Sequence, residues 1–120
     1  MPMTPLRATL AGAVCALALT STAALAQQHD ILVMPDAYFP AITHVDPGDT
    51  VLFVNTTETV QNIVAAGEAW TLGPIPVSGE MLLTITEGQE TDYFNAGTLN
   101  AENATYGVSG FLSFEDPPID

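Results

Sequence analysis

The sequence predicts an all-β protein that folds as a β-sandwich of about seven or eight strands. Short runs rich in β-branched and aromatic residues recur along the chain, and turn residues separate them. The apolar spacing of an amphipathic helix is absent from these runs. Several short strands in a chain of this length are typical of a sandwich.

The predicted strands are residues 30–34, 41–45, 50–55, 62–66, 81–86, 91–95 and 110–115. In residues 81–86 apolar side chains alternate mainly with threonine, which indicates a strand with one buried face. Residues 51–54 are apolar throughout, and this predicts burial on both faces. The residues expected to share one core are Val51, Phe53, Leu83, Ile85, Phe94 and either Leu112 or Phe114. Pro47 and Gly48 provide the fixed φ and the positive φ of a tight turn. Only residues 100–106 suit a turn or two of helix.

The amino-terminal segment has the layout of a secretory signal peptide. Arg7 precedes an apolar run over residues 8–19, and small residues ending at Ala26 follow. The run is too short to span a membrane. We therefore expect cleavage after Ala26 and a periplasmic or secreted protein. A lipoprotein anchor at Cys15 is the alternative, but the residues before it are a poor lead-in.

Cleavage there divides the chain into a signal peptide over residues 1–26, one domain over residues 27–115, and an acidic, proline-containing tail over residues 116–120. The only cysteine is removed with the signal peptide, so the remaining chain has no disulfide. We expect it to be a monomer.

The charge of the chain is strongly negative. All 14 acidic residues follow residue 26, whereas the only Lys or Arg, Arg7, lies in the signal peptide. Such a surface repels phosphate backbones and anionic lipid headgroups, which argues against nucleic-acid and membrane partners. A basic periplasmic protein or a cation would suit it. A solubility surface adapted to a salty habitat is the alternative explanation.

A set of short motifs resembles the cupredoxins of the plastocyanin and amicyanin type. The matching residues are Tyr38-Phe39-Pro40, Val45, Pro47-Gly48-Asp49-Thr50-Val51, Phe53-Val54-Asn55, Asn62-Ile63-Val64, Trp70, Gly73-Pro74-Ile75, Gly79 and Asp92-Tyr93-Phe94. The resemblance covers nearly all of the chain after residue 26. It implies a Greek-key sandwich with a metal site at one end.

The same resemblance implies that the copper ligands are missing. A blue copper site uses two imidazoles, one thiolate and a weak axial thioether. Gln61 stands where the family has its first histidine, Asn95 where it has cysteine, and Val108 where it has methionine. The loop of residues 96–107, where the second histidine would fall, contains no His, Cys or Met. We expect the three replacements to lie together and the two amides to form hydrogen bonds.

The new amino terminus offers a second candidate metal site. The Gln27 amine, the Gln28 and His29 backbone nitrogens and the His29 ring could form the square-planar nitrogen set that Cu(II) and Ni(II) favour. The alternative is that His29 has no metal role and only leads into the first strand. An amino-terminal glutamine can also cyclise, which would remove the amine that this site needs. His44 has no neighbouring His or Cys in the sequence, so we expect a solvent-facing residue.

These observations predict a non-enzymatic binding or structural module without a resident cofactor. No Cys nucleophile or Lys follows residue 26, and no His is paired with a particular Ser. Two alternatives stay open: a copper electron carrier of the cupredoxin family, and a protein that binds Cu(II) through its amino terminus.

Overall fold

The computed structural model describes residues 25 to 118, and the predicted all-β sandwich is confirmed. A four-stranded sheet has the order β2-β1-β4-β7, and a five-stranded sheet has the order β3-β11-β8-β5-β6. The strands are β1 Gln28–Met34, β2 Ala37–Phe39, β3 Ile42–His44, β4 Thr50–Asn55, β5 Gln61–Ala65, β6 Thr71–Ile75, β7 Glu80–Thr84, β8 Asp92–Asn95, β9 Leu99–Asn100, β10 Thr105–Tyr106 and β11 Ser109–Ser113. Strands β9 and β10 form a separate hairpin.

Two parallel strand pairs determine where polar residues collect. In the β1–β4 pair Gln28 lies beside Thr50, and Val33 lies beside Asn55 at the other end. The second parallel pair joins β3 to β11. We call the end that carries Asn55, Gln61, Asn95 and Val108 the Asn95 end. The opposite end carries Gln27, His29, His44, Asp49 and Glu115, and we call it the Asp49 end.

The core lies between the two sheets and centres on packed aromatic rings. The ring centroid of Tyr93 lies 4.9 Å from that of Tyr38 and 5.4 Å from that of Phe53, both edge to face. Each fully buried large apolar side chain contributes roughly 1.5–3 kcal/mol. The whole buried cluster is Ile31, Val33, Tyr38, Val45, Val51, Phe53, Ile63, Ile75, Leu83, Ile85, Tyr93, Val108 and Leu112.

The Tyr93 ring requires a glycine on the neighbouring strand. Gly110 is the cross-strand partner of Tyr93 in the β8–β11 pair. A Cβ atom at Gly110 would lie 2.3 Å from Cζ and Oη of Tyr93, well inside van der Waals contact. The ring therefore occupies the space of the missing side chain and packs against the backbone of β11.

Some expectations about burial were wrong. Strand β4 alternates: Val51 and Phe53 are fully buried, whereas Leu52 and Val54 are only partly buried on the outer face. The apolar run predicted burial on both faces wrongly, because partly exposed apolar residues are common on sheet surfaces. Phe94 also lies on an outer face, where its ring stacks on that of Tyr106 at 4.8 Å.

Three segments differ from the predicted elements. The segment expected to be helical contains the end of β9, a turn and β10, so it is a small hairpin. Strands β2 and β6 were not predicted. Strand β2 has only three residues, and β6 contains Gly73 and Pro74, which the sequence pattern treats as strand breakers.

Candidate functional site at the Asn95 end

Strand pairing brings the three expected site positions together. Strand β5 begins at Gln61 and pairs with β8, which ends at Asn95. The Asn95 backbone N–H donates to the Val108 carbonyl at 2.9 Å, just before β11 begins. Three separate segments therefore place Gln61, Asn95 and Val108 at one end of the sandwich.

The side-chain amides of Asn95 and Gln61 form a buried pair. Asn95 Nδ2 donates to Gln61 Oε1 at 2.8 Å, and the two residues are only 7% and 8% exposed. Gln61 Nε2 donates to the hydroxyls of Thr57 and Thr59, both at 3.0 Å. Asn95 Oδ1 accepts the Gly97 N–H at 2.9 Å. Each nitrogen and oxygen of both amides thus has a hydrogen-bond partner, as buried polar groups require.

The amide pair continues into a second buried amide. The Thr57 hydroxyl donates to Asn55 Oδ1 at 2.7 Å, and the Thr57 N–H donates to the same oxygen at 2.8 Å. Asn55 is 1% exposed, and its Nδ2 lies 2.9 to 3.1 Å from the carbonyl oxygens of Thr59, Ile75 and Pro76. The network therefore joins the ends of β4 and β8 to the start of β5.

Thr98 holds the loop that follows β8. Its hydroxyl donates to the Asn95 carbonyl at 2.7 Å and accepts the N–H groups of Gly107 and Val108 at 3.1 and 3.3 Å. Val108 is 7% exposed and belongs to the core cluster. The loop is thus closed by hydrogen bonds on both sides, and Val108 fills apolar space.

The residues present do not fit a type 1 copper centre. The three positions offer two neutral amides and one aliphatic side chain, whereas such a centre needs a thiolate and imidazoles. The donor groups of both amides are also committed to neighbouring oxygens. Within residues 25 to 118, no three His, Cys, Asp or Glu side chains are grouped in a way that could hold a metal ion. What remains beside the amide pair is an open polar cleft of about 230 Å³.

The Asp49 end contains a second polar cluster that sequence reasoning missed. His29 Nε2 donates to Asp49 Oδ2 at 2.9 Å, and His44 Nδ1 donates to the Glu115 carbonyl at 2.9 Å. Both histidines line one cavity of about 390 Å³. His44 is partly exposed there, so it faces solvent, but it is not isolated. Its proximity to His29 depends on the packing of two sheets, which no local motif reports.

Hydrogen bonds lower the pKa of Asp49. The largest cause is the bond from the His29 ring, followed by the N–H of Gln27, which donates to Asp49 Oδ1 at 2.9 Å. Burial opposes the shift, because Asp49 is only 4% exposed. The Asp49 carboxylate is therefore ionised at neutral pH and holds the start of β1.

The nitrogens of the expected amino-terminal copper site already take part in the hydrogen bonds at the Asp49 end. The Gln27 nitrogen is bonded to Asp49, and the Gln27 carbonyl accepts the Thr50 N–H at 2.9 Å. Gln28 and His29 begin the parallel pairing with β4. A square-planar set built from these nitrogens would have to displace the first strand pairs, so it competes with the fold.

Comparisons with solved structures agree with this architecture. The copper-containing nitrite reductase of Thermus scotoductus SA-01 matches with a TM-score of 0.59 and 15% identity, over 85% of this chain. This chain spans only 25% of that protein. The reduced Cu(I) form of an amicyanin variant at pH 4 matches with a TM-score of 0.54 and 26% identity, over 77% of this chain and 84% of that one.

A pseudoazurin from Sinorhizobium matches with a TM-score of 0.51 and 20% identity, over 76% of each chain. No protein-family model matches the sequence, and the search of curated proteins gave no match. Within residues 25 to 118, no helix has the length and apolar character needed to cross a membrane.

The amide pair can be tested by a double-mutant cycle. We expect Asn95→Ala to lower the free energy of unfolding by about 1–3 kcal/mol, because it leaves Gln61 Oε1 and the Gly97 N–H without partners. Urea unfolding of Asn95→Ala, Gln61→Ala and the double variant should show a coupling of about 0.5–3 kcal/mol.

Asn62→Ala is the matched control, since this neighbouring amide is exposed and its loss should change stability by less than about 0.5 kcal/mol. Additive effects of Asn95→Ala and Gln61→Ala would show that the amide pair does not act as a unit.

Proposed function

This chain has the cupredoxin fold, and from that premise we propose that it is an exported, non-redox binding module that has lost the type 1 copper centre. Its signal peptide directs it to the periplasm or the outside of the cell, and removal after Ala26 leaves the sandwich as the functional unit. In this role it catalyses no reaction and holds no resident cofactor.

The observation that carries this proposal is the 2.8 Å hydrogen bond from Asn95 Nδ2 to Gln61 Oε1. In the family resemblance these positions correspond to the thiolate and one imidazole of the copper site. A neutral amide provides neither the covalent copper–sulfur bond nor the redox tuning that depends on it. The buried amides satisfy each other instead, so this end is stable without a metal.

Thr98 and Val108 support the same conclusion. Val108 presents an aliphatic group to the core where the family resemblance expects a thioether. The Thr98 hydroxyl closes the loop from both sides through bonds to Asn95, Gly107 and Val108. A loop held by these hydrogen bonds does not need a bound metal to become ordered.

The loss of type 1 copper predicts a colourless protein. We expect the processed chain to show no intense blue absorption band when Cu(II) is added, because only a copper–thiolate bond would produce it. The measurement is an optical titration of the parent and of His29→Ala, with an amicyanin as positive control. His29→Ala removes the imidazole of the amino-terminal set. An intense blue band that survives this substitution would overturn the proposal and favour an electron carrier.

The outer face of the five-stranded sheet is the best candidate for the binding surface. Ile42 and Phe111 are paired across β3 and β11 and are 54% and 39% exposed. Phe111 also lies opposite Asp92 on β8, next to Phe94. Together they line an open cleft of about 430 Å³. We name this surface, formed by Ile42, Asp92, Phe94 and Phe111, the Phe111 face.

The negative charge of the domain indicates the charge of its partner. No Lys or Arg occurs after Arg7, so the acidic side chains of the domain have no basic side-chain neighbours except the histidines. An exposed apolar face inside a negative field favours a basic protein that contributes an apolar side chain. We therefore propose a basic periplasmic protein as the partner of the Phe111 face.

A short peptide of alternating lysine and leucine can test the Phe111 face. We expect its chemical-shift perturbations to concentrate at Ile42, Asp92 and Phe111, and Phe111→Ser to weaken binding. Phe39→Ser is the control, because Phe39 is 61% exposed on the other sheet. Perturbations spread evenly over all acidic residues would instead indicate a solubility surface.

A further inference from the structure

Asp49 is the only acidic side chain in residues 25 to 118 that is buried. It accepts three hydrogen bonds, each of 2.9 Å: from the Gln27 N–H, the Asp46 N–H and the His29 ring. A buried carboxylate is costly unless it is both hydrogen-bonded and paired with a positive charge. All three hydrogen bonds are formed, but no Lys or Arg occurs after Arg7 to supply a permanent charge, and the His29 ring supplies one only if it is protonated.

Of the three donors to Asp49, the Gln27 nitrogen is the one that removal of the signal peptide would change from an amide into an amine. In the uncut chain it is a peptide N–H, bonded to Asp49 Oδ1. The start of the strand ladder fixes its position, since the Thr50 N–H donates to the Gln27 carbonyl and Gln28 pairs with Thr50. The preceding residues, Leu25 and Ala26, are exposed. The nitrogen can therefore stay in place when the residues before it are removed.

We propose that the Asp49 pocket is the receptor for the amino terminus that processing releases at the Ala26–Gln27 bond. A signal peptidase would hydrolyse this bond with one water molecule, leaving a carboxylate on Ala26 and an amine on Gln27. An α-amine has a pKa of roughly 7.7–8.0, so it is mainly an ammonium at neutral pH. The ammonium keeps the hydrogen bond to Asp49 and adds the missing positive charge.

This inference links export to stability. Processing would convert a neutral hydrogen bond at the start of β1 into an ion pair that anchors β1 beside β4. The folded domain would therefore gain stability when the signal peptide is removed. The same amine could not serve a square-planar copper set without giving up this bond. The inference depends on the processing included in the proposed function, and does not depend on the absence of type 1 copper.

The test compares two forms of the processed chain: one with a free Gln27 amine and one with that amine acetylated. Acetylation keeps an N–H at the same nitrogen but removes its charge. We expect it to lower the folding equilibrium constant about tenfold at neutral pH, as measured by urea unfolding. In Asp49→Asn, acetylation should change the constant by less than about twofold, within the range of surface effects. Equal effects in both backgrounds would overturn the proposal.

Asp46→Asn is the matched control. It removes another carboxylate that lines the same cavity, while the Asp46 N–H can still donate to Asp49. The acetylation effect should persist in this variant. If acetylation has no effect in Asp46→Asn but keeps its full effect in Asp49→Asn, a different carboxylate binds the terminus and the assignment is wrong.

A second measurement applies if Asp49→Asn does not fold. Nitrogen NMR of the Gln27 amine should show a higher pKa in the folded chain than in urea, since an adjacent carboxylate favours the ammonium. The other titratable groups lining this cavity are His29, His44, Asp46, Glu115 and Asp116. An equal pKa in both states would overturn the proposal.

The mass of the exported protein gives an independent check. A chain that begins at Gln27 with a free amine supports the assignment. A cyclised Gln27 or a different first residue would overturn it. A blue copper band in the optical titration would contradict the proposed function and would leave this assignment standing.

Discussion

Buried polar groups must find hydrogen-bond partners, and this constraint shapes both ends of the sandwich. At the Asn95 end the constraint is met by neutral groups, because Asn95, Gln61 and Asn55 share their donors and acceptors with nearby hydroxyls and carbonyls. At the Asp49 end the constraint is met by a charged group, because the Asp49 carboxylate accepts three hydrogen bonds. The exceptions in the described region are the hydroxyls of Tyr38, Tyr93 and Thr43, which are buried without a partner. Burial raises the pKa of both tyrosines, so their rings act as neutral core residues.

If this chain has lost type 1 copper, as we propose, the Asn95 end explains how the sandwich stays folded without the metal. A metal ion orders its ligands by binding them, so an abandoned site must satisfy those positions in another way. Here Asn95 and Gln61, which stand at positions that the resemblance assigns to copper ligands, bind each other, and Thr98 ties the loop to Asn95 and Val108 on its two sides. The proposed binding function then depends on surfaces, and the exposed apolar residues of the five-stranded sheet lie in a strongly negative field.

The sequence was most informative where a local pattern determines the structure. The strand patterns predicted that Val51, Phe53, Leu83 and Ile85 are buried, and the structure places them in one core. The resemblance predicted that Gln61 and Asn95 would meet. Contacts between distant segments could not be predicted in this way. The outward position of Phe94 depends on strand register, because a shift of one residue reverses the face of a side chain. The shared cavity of His29 and His44 depends on how two sheets pack.

We propose that the Asn95 end does not bind copper, and paramagnetic NMR can test this residue by residue. Cu(II) broadens the resonances of nuclei close to it, so an equimolar addition to the processed chain reports where the ion binds. We predict that the side-chain amide signals of Asn95 and Gln61 and the methyl signals of Val108 stay sharp. Any broadening should be confined to the Asp49 end, around His29 and His44. Selective loss of the Asn95, Gln61 and Val108 signals would instead show that copper binds at the Asn95 end.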